Sequence, residues 1–339
     1  MKAAVLHEVG NPLRIEDVPI PEMGPDDVLV ETKACGICRT DLHIYNGLAY
    51  VPQLPHILGH EPAGIVAKVG QNVSGFSIGQ RVVPHIFFTC GNCYYCRVGL
   101  DAQCVNLTGL LGVLNDGAFA EYFVAPAENL FALPNQVPFE VGGLSSCAAI
   151  TAIHAVRKTR LGPNDTAAII GSGGIGQILI QILKASGVNV VATSRTPGKL
   201  EIAKELGADL TLRQDHPDTF KEIKQFSAGD GVQCVFDCVG TSSTMKASAQ
   251  YVMRSGQIVV IGEEPEFPEI DTIQIAQREL EIIGTRNGSR QDIDDVISML
   301  ATGILNPPIA ETFPLEKVNQ ALDLMEAGGV NGRIVITVT

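Results

Sequence analysis

The pattern of apolar and polar residues divides the chain into two parts, and the change falls near Thr151. Before it, short β-rich runs stand between glycine, proline and asparagine residues, which is typical of strands joined by turns. The strands predicted in this part are Lys2–Leu6, Asp27–Lys33, Gly64–Val69, Arg81–Pro84 and Ala120–Ala125. The first part of the chain is therefore predicted to be rich in β-structure.

Strands and helices alternate in the second part. Apolar residues recur at helical spacing from Ile175 to Leu183, directly after a buried-strand run. The predicted strands are Thr166–Ile170, Asn189–Thr193, Val232–Asp237, Gln257–Ile261, Leu280–Gly284 and Arg333–Val338, and the further predicted helices are Lys199–Leu206, Gln291–Ala301 and Leu315–Ala327. This alternation predicts an α/β fold with a doubly wound parallel sheet and right-handed crossovers.

Length and charge narrow the class of protein. At 339 residues the chain exceeds the size at which one core keeps growing, so two domains are expected. Its 24 basic and 37 acidic residues give a net charge of −13, which disfavours nucleic acid or an anionic membrane as a partner. The chain has no apolar run of membrane-spanning length, and Met1–Leu13 lacks the apolar stretch of a signal peptide. We therefore expect a cytoplasmic protein.

Four cysteines, Cys90, Cys93, Cys96 and Cys104, follow one another in the pattern C-x2-C-x2-C-x7-C. This spacing lets one short loop surround a single metal ion, and tetrahedral zinc with a closed coordination shell is the natural occupant. Disulfides would need an oxidising compartment. An iron–sulfur run usually has proline after its fourth cysteine, where this chain has Val105. Coincidence is the remaining alternative, and the pattern predicts a structural zinc site.

A glycine-rich segment matches G-x-G-x-x-G and consists of Gly171, Ser172, Gly173, Gly174, Ile175 and Gly176. The match follows a predicted strand and opens a predicted helix, which is the context in which the motif binds a dinucleotide. The glycines allow the backbone to approach a pyrophosphate, and the helix N-terminus offers unpaired N–H groups. The alternative is a tight turn without a ligand.

The end of the next predicted strand bears on the choice of dinucleotide. A carboxylate about 20 residues after the glycine motif would bind the ribose 2′-hydroxyl of NAD. The chain has Ser194 and Arg195 there, and no acidic residue occurs between Asn189 and Glu201. A hydroxyl followed by a guanidinium suits a 2′-phosphate, so Ser194 and Arg195, with Lys199, favour NADP(H). The alternative is that Arg195 is an ordinary surface charge.

Three scattered residues, Cys38, His60 and Cys147, complete the candidate chemistry, although their spacing alone does not predict a site. The segments that contain them, Cys35–His43, Gly59–Glu61 and Ser146–Ala149, resemble those of the zinc-dependent medium-chain alcohol dehydrogenases, and the resemblance runs from Met1 to the last strand. It implies that these three residues bind a catalytic zinc, which makes two zinc ions per chain, and three ligands leave a position for substrate. A C-x-x-C redox pair formed by Cys35 and Cys38 is the alternative for that segment.

The same resemblance implies an architecture. A GroES-like β-rich catalytic domain is expected over 1–149 and 286–339, with the structural-zinc lobe at about 86–110. A Rossmann dinucleotide-binding domain is expected over 150–285. The family also implies a homodimer or homotetramer.

Roles for further residues follow from the resemblance. Asp41 is expected to orient His60, and Glu61 to lie behind the metal. Thr40 and His43 correspond to a proton relay. The arginines expected to contact the pyrophosphate are Arg39 and Arg333. The implied activity is the interconversion of small alcohols with aldehydes or ketones by hydride transfer with NADP(H).

Three rival functions stay open. Polyol or sugar dehydrogenases of the same superfamily often have glutamate where this chain has Cys147. A zinc-independent enone reductase would lack the ligand set. An NADPH-binding scaffold or redox sensor would hold only the structural zinc. The scaffold hypothesis predicts one zinc ion per chain and no turnover, whereas the dehydrogenase hypothesis predicts two zinc ions per chain.

Overall fold

The computed structural model describes residues 1–48, 50 and 52–338. The chain forms two compact units. Unit 1 comprises Met1–Ile150, Gly288–Gly303 and Ile309–Thr339, and unit 2 comprises Thr151–Asn287 and Ile304–Pro308. The domain boundaries expected from the sequence, 1–149 with 286–339 for one domain and 150–285 for the other, stay a prediction.

Most strands and helices of the chain are short. The strands are β1 (Lys2–Leu6), β2 (Arg14–Asp17), β3 (Asp27–Gly36), β4 (His56–Ile57), β5 (Glu61–Val69), β6 (Arg81–Pro84), β7 (Phe87–Phe88), β8 (Gly109–Leu110), β9 (Tyr122–Pro126), β10 (Leu130–Ala132), β11 (Thr166–Ile170), β12 (Asn189–Ser194), β13 (Leu210–Arg213), β14 (Val232–Asp237), β15 (Val252–Val260), β16 (Glu281–Gly284), β17 (Ile309–Pro314) and β18 (Arg333–Thr337). The helices are α1 (Arg39–Tyr45), α2 (Tyr94–Arg97), α3 (Phe139–Gly142), α4 (Ala148–Arg157), α5 (Gly174–Ala185), α6 (Pro197–Glu205), α7 (Thr219–Phe226), α8 (Ser242–Tyr251), α9 (Thr272–Arg278), α10 (Arg290–Ala301) and α11 (Val318–Ala327).

Unit 1 is built on a sheet with the strand order β10-β6-β5-β3-β18-β17, in which β9 also pairs with β3. Strand β3 lies antiparallel to both β5 and β18, with Gly36 opposite Glu61 on one side and Val335 on the other. The last strand of the chain therefore returns to the strand that leads into Cys38. Fully buried Leu6, Ile44, Leu58, Phe119 and Phe123 belong to the core of this unit.

Unit 2 is a parallel sheet with the order β13-β12-β11-β14-β15-β16. The strand order reverses between β11 and β14, and dinucleotides bind at this kind of switch point in doubly wound folds. Strand β11 is buried along its whole length, as expected of a central strand with both faces covered. The predicted α/β class with a doubly wound sheet is confirmed.

Several predicted elements have different bounds in the structure. The strand predicted from Gly64 begins at Glu61, because β5 continues its pairing with β3 up to Gly36. The helix predicted over Leu315–Ala327 begins as a 3₁₀ turn, Leu315–Lys317, before α11. The ends of elements are the part of a prediction from sequence that most often shifts by a few residues.

Within the described ranges, no single helix is long and apolar enough to cross a membrane. One bent pair, Phe139–Ser146 and Ala148–Arg157 at 49°, meets the length and composition criteria when its two helices are taken together.

Candidate metal centre

Unit 1 brings the three scattered residues together as one group, which we call the metal set (Cys38, His60 and Cys147). Cys38 precedes α1 in an extended conformation, with φ −114° and ψ 159°. His60 directly precedes β5, and Cys147 follows the 3₁₀ turn Gly143–Ser146. Their ligand atoms and a Glu61 carboxylate oxygen all lie within 4.8 Å of one another. Residues remote in sequence therefore converge on one point.

The atoms of the metal set fit zinc. His60 Nε2 is buried and has no hydrogen-bond partner among the described residues, which is the state expected of a metal-binding nitrogen without its ion. Two thiolates and an imidazole are donors that zinc prefers, and three protein ligands leave one position open. Contact between the thiols lowers the pKa of Cys38 and raises that of Cys147. One of the two sulfurs is thereby favoured as the thiolate that a metal needs.

Asp41 fixes the direction of His60. Its Oδ1 lies 3.0 Å from His60 Nδ1, so the other ring nitrogen is left for a ligand. The same carboxylate accepts the backbone N–H of Cys38 at 2.8 Å and of Gly59 at 3.2 Å. Burial lowers the pKa of His60, but the Asp41 carboxylate outweighs it and raises that pKa above its usual value. Asp41 is completely buried and links both sides of the metal set.

Glu61 and Arg333 form a buried ion pair beside the metal set. Arg333 donates through Nη2 to Glu61 Oε2, and also to the Ile37 carbonyl at 2.9 Å. Burial raises the pKa of Glu61 to about 7 even though the Arg333 guanidinium opposes the shift. The pairing of β18 with β3 carries Arg333 to this position. Its expected contact with pyrophosphate stays a prediction.

The expected relay residues lie on α1. The Thr40 hydroxyl is 3.8 Å from Cys38 Sγ. His43 is 6 % exposed, and its Nε2 is buried with no hydrogen-bond partner among the described residues. Residues three apart share one side of a helix, so Thr40 and His43 project from the same side of α1. Arg39, the first residue of the helix, is exposed.

The second metal group is the four-cysteine loop (Cys90, Cys93, Cys96 and Cys104) around α2. Four of the distances between its Sγ atoms are 3.4, 3.6, 3.9 and 4.0 Å. Four sulfurs at about 2.3 Å from a central zinc would be separated by about 3.8 Å, the edge of that tetrahedron. None of these cysteines forms a disulfide. The Cys96 backbone N–H lowers the pKa of Cys93 to about 6, which favours the ligating thiolate.

Replacing Cys93 with serine is expected to remove one of two zinc ions and to lower the Tm by about 10 °C, because metal binding in such loops is coupled to folding. Metal analysis and calorimetry would measure both effects. Cys238→Ser is the matched control, since Cys238 lies outside both metal groups, and it should keep both ions. Two ions and an unchanged Tm in the Cys93 variant would rule out a structural zinc in this loop.

The glycine motif of unit 2 joins β11 to α5. Gly171 has φ +93°, and a Cβ there would lie 2.8 Å from Val239 Cγ2. A Cβ on Gly176 would lie 2.3 Å from the Gly171 carbonyl oxygen, so glycine lets the helix approach the strand. Gly173 caps α5 and has no heavy atom within 4 Å of an added Cβ. The open backbone at the start of a helix fits a pyrophosphate.

The residues expected to select the dinucleotide lie at the end of β12. Ser194 is the last residue of the strand, and its hydroxyl accepts the Thr196 N–H at 3.1 Å. Arg195 is exposed, and Lys199 lies half-buried in α6. The structure thus places all three on the strand–helix connection that follows the glycine motif.

Comparison with known proteins agrees with this arrangement. Residues 24–135 match the family described as Alcohol dehydrogenase GroES-like domain, and residues 174–302 match the family Zinc-binding dehydrogenase. An alcohol dehydrogenase from Geobacillus stearothermophilus is 36% identical over 340 residues, covering 100% of both chains. An NAD-dependent alcohol dehydrogenase from Sulfolobus acidocaldarius is 34% identical, also covering 100% of both.

A solved structure adds a cofactor complex to the comparison. It is a candidate zinc-binding dehydrogenase from Sinorhizobium meliloti bound to NADP. Its identity is 31%, its TM-score is 0.91, and the match covers 99% of this chain and 98% of that one. The chain therefore belongs to the zinc-type alcohol dehydrogenases of the medium-chain dehydrogenase/reductase superfamily.

Proposed function

We propose that this protein is a zinc-dependent oxidoreductase that interconverts small alcohols with aldehydes or ketones and uses NADP(H). The observation that carries the proposal is the convergence of the metal set around His60 Nε2, a buried atom for which the described residues offer no hydrogen-bond partner. Cys147 as the third ligand favours simple alcohols over polyols, whose dehydrogenases often have glutamate there. The relatives named alcohol dehydrogenase add support over the full length of the chain.

Zinc and the dinucleotide would supply the central chemistry of the reaction. When bound, zinc is a Lewis acid that lowers the pKa of an alcohol, and NADP⁺ accepts the hydride. Cys38, His60 and Cys147 would hold the metal, with Asp41 fixing the imidazole through its Nδ1 at 3.0 Å. The metal set would thus leave one face open to substrate.

Protein side chains would remove the proton. Thr40 Oγ1, beside Cys38, would take the proton of the alcohol hydroxyl and release its own hydroxyl proton toward His43. The Nε2 atom of His43, on the same side of α1, has no hydrogen-bond partner among the described residues and would receive it. Histidine is the side chain most often used as a general acid or base, so His43 would hold the proton and pass it on. Reduction of an aldehyde or ketone uses the same groups in the reverse order.

NADP(H) is the proposed cofactor because the end of β12 offers a hydroxyl and two cations and no carboxylate. Ser194 and Arg195, with Lys199, suit a 2′-phosphate. Relatives of both kinds exist, since one is named NAD-dependent and another is bound to NADP. The proposed choice of NADP(H) over NAD(H) therefore rests on the residues of this chain.

A kinetic panel of primary, secondary and aromatic alcohols tests the function. We expect turnover with at least one class and a kcat/KM about 10-fold or more higher with NADP⁺ than with NAD⁺, the size of one charge-assisted interaction. Arg195→Ala should remove most of that difference and leave the NAD⁺ reaction unchanged. Higher kcat/KM with NAD⁺ would overturn the cofactor choice, and one tightly bound zinc with no turnover would favour a scaffold.

A further inference from the structure

The carboxyl end of β13 brings two charged residues to the proposed 2′-phosphate site. Strands β12 and β13 are parallel, and Arg213 is the register partner of Ser194. Neighbouring strands lie about 4.8 Å apart, and paired residues of parallel strands project to the same face of the sheet. The Gln214 N–H donates to the Ser194 carbonyl at 3.1 Å, which continues this pairing past the strand ends. Arg213 therefore lies beside the residue that the cofactor is expected to contact.

Arg213 is held by a carboxylate from its own strand end. Its Nε donates to Asp215 Oδ1 at 3.0 Å and its Nη2 to Asp215 Oδ2 at 2.7 Å. The side chains of Arg213 and Asp215 are 45% and 53% exposed, so solvent screens the pair and an incoming anion can reach it. Hydrogen bonds from Arg213 lower the pKa of Asp215, and the charge of Arg195 acts in the same direction. Both arginines are thus within electrostatic reach of one carboxylate.

A guanidinium that binds a carboxylate through two parallel hydrogen bonds can bind a phosphate in the same way. We propose that Arg213 is a second guanidinium for the 2′-phosphate of NADP(H), and that Asp215 competes with that phosphate for it. This inference rests on the proposed preference for NADP(H), and it assigns the strength of that preference to Arg213 and Asp215. Asp215 limits the preference, because the phosphate must displace it or bind beside its negative charge.

The alternative role for Asp215 is to accept the ribose 2′-hydroxyl of NAD(H), replacing the carboxylate that β12 lacks. The two roles predict opposite effects of removing its charge. If Asp215 competes with phosphate, its removal strengthens binding of a 2′-phosphate. If Asp215 accepts a ribose hydroxyl, its removal weakens binding of a nucleotide that has this hydroxyl free.

Calorimetric titration with adenosine 2′,5′-bisphosphate and with 5′-AMP separates these outcomes without relying on turnover. In the zinc-loaded protein, Arg213→Ala is expected to raise the Kd of the bisphosphate by about 10-fold, the effect of one charge-assisted pair, and to leave that of 5′-AMP unchanged. Asp215→Asn is expected to lower the Kd of the bisphosphate by roughly 3- to 10-fold.

Arg254→Ala is the matched control. Arg254 is exposed and lies near the amino-terminal end of β15, whereas the cofactor site of a parallel sheet is at the carboxyl ends. Like Arg213→Ala, the Arg254→Ala substitution removes one positive charge from unit 2, and it should change neither Kd. A bisphosphate Kd unaffected by Arg213→Ala, or a weaker 5′-AMP complex in Asp215→Asn, would overturn the inference.

The same titrations keep the two proposals distinct. A wild-type protein that binds the bisphosphate no more tightly than 5′-AMP would defeat the proposed NADP(H) preference. The inference about Asp215 would then fail if Asp215→Asn did not improve the bisphosphate Kd, and stand if it did. A wild-type preference lost in Arg195→Ala but kept in Arg213→Ala would defeat the inference alone.

Discussion

Cys38→Ser is expected to lower kcat/KM by at least about 10³-fold, equivalent to about 4 kcal/mol of transition-state stabilisation, while the protein stays folded. The substitution removes one of two thiolates from the metal set, and a serine hydroxyl is a much weaker zinc ligand. The fold should tolerate it because Cys38 is the residue before α1, a position at which serine is favoured. The bond from the Cys38 backbone N–H to Asp41 does not depend on the side chain.

Zinc content and thermal unfolding distinguish loss of the site from loss of the fold. The variant should hold one zinc ion, in the four-cysteine loop, and its Tm should change little. Cys35→Ser is the control, since Cys35 is three residues earlier, buried, and outside the metal set. If Cys35 and Cys38 acted as a redox pair, both variants would lose activity equally. Full activity in a Cys38→Ser protein that has lost its zinc would contradict the metal assignment.

The parts of the fold with a strong local pattern were predictable. Strands Lys2–Leu6, Arg81–Pro84, Thr166–Ile170 and Val232–Asp237 have the predicted bounds. The last two are largely apolar strands buried in the middle of a parallel sheet, where both faces are covered. The residues of these two strands are therefore almost sufficient to predict them without any information on their neighbours.

Strand β13 and helix α8 of unit 2 were missed because their sequence patterns are weak. Strand β13 has only four residues, two of them half-buried and its last exposed, and it pairs on one side with β12 alone. Helix α8 has the sequence SSTMKASAQY, which is mostly polar with few apolar positions. Pairing and packing, which a single sequence does not reveal, stabilise such elements. Missing β13 also concealed Arg213, since only its register with Ser194 places it near the cofactor.

The two metal groups differ in the same way. The four cysteines of the loop are close in sequence, and their spacing alone predicted a shared ion. Cys147 is 87 residues from His60, so only the fold brings them together, and the family resemblance was needed to select them. No spacing argument could have shown that Arg333 is buried against Glu61, because that contact depends on the pairing of β18 with β3.

Arg333→Met is expected to lower the free energy of unfolding by about 3–5 kcal/mol, the cost of leaving one partner of a buried ion pair alone. Glu61 is fully buried and Arg333 is 6 % exposed, so water cannot replace the lost partner. Methionine fills a similar volume, which limits the cavity contribution. Urea unfolding of the zinc-loaded protein measures the loss.

A double-mutant cycle assigns the loss to the ion pair. Glu61→Gln combined with Arg333→Met removes the unpaired charge, so the double variant should be more stable than Arg333→Met alone. Arg160→Met is the surface control, because Arg160 pairs with Glu281 where the two side chains are 60% and 46% exposed. Its loss should be much smaller, since solvent already screens that pair. Equal losses for the buried and the exposed arginine, or no recovery in the double variant, would show that the Glu61–Arg333 pair does not stabilise the site. Recovery of stability without recovery of cofactor affinity would instead separate this structural role from the predicted contact of Arg333 with pyrophosphate.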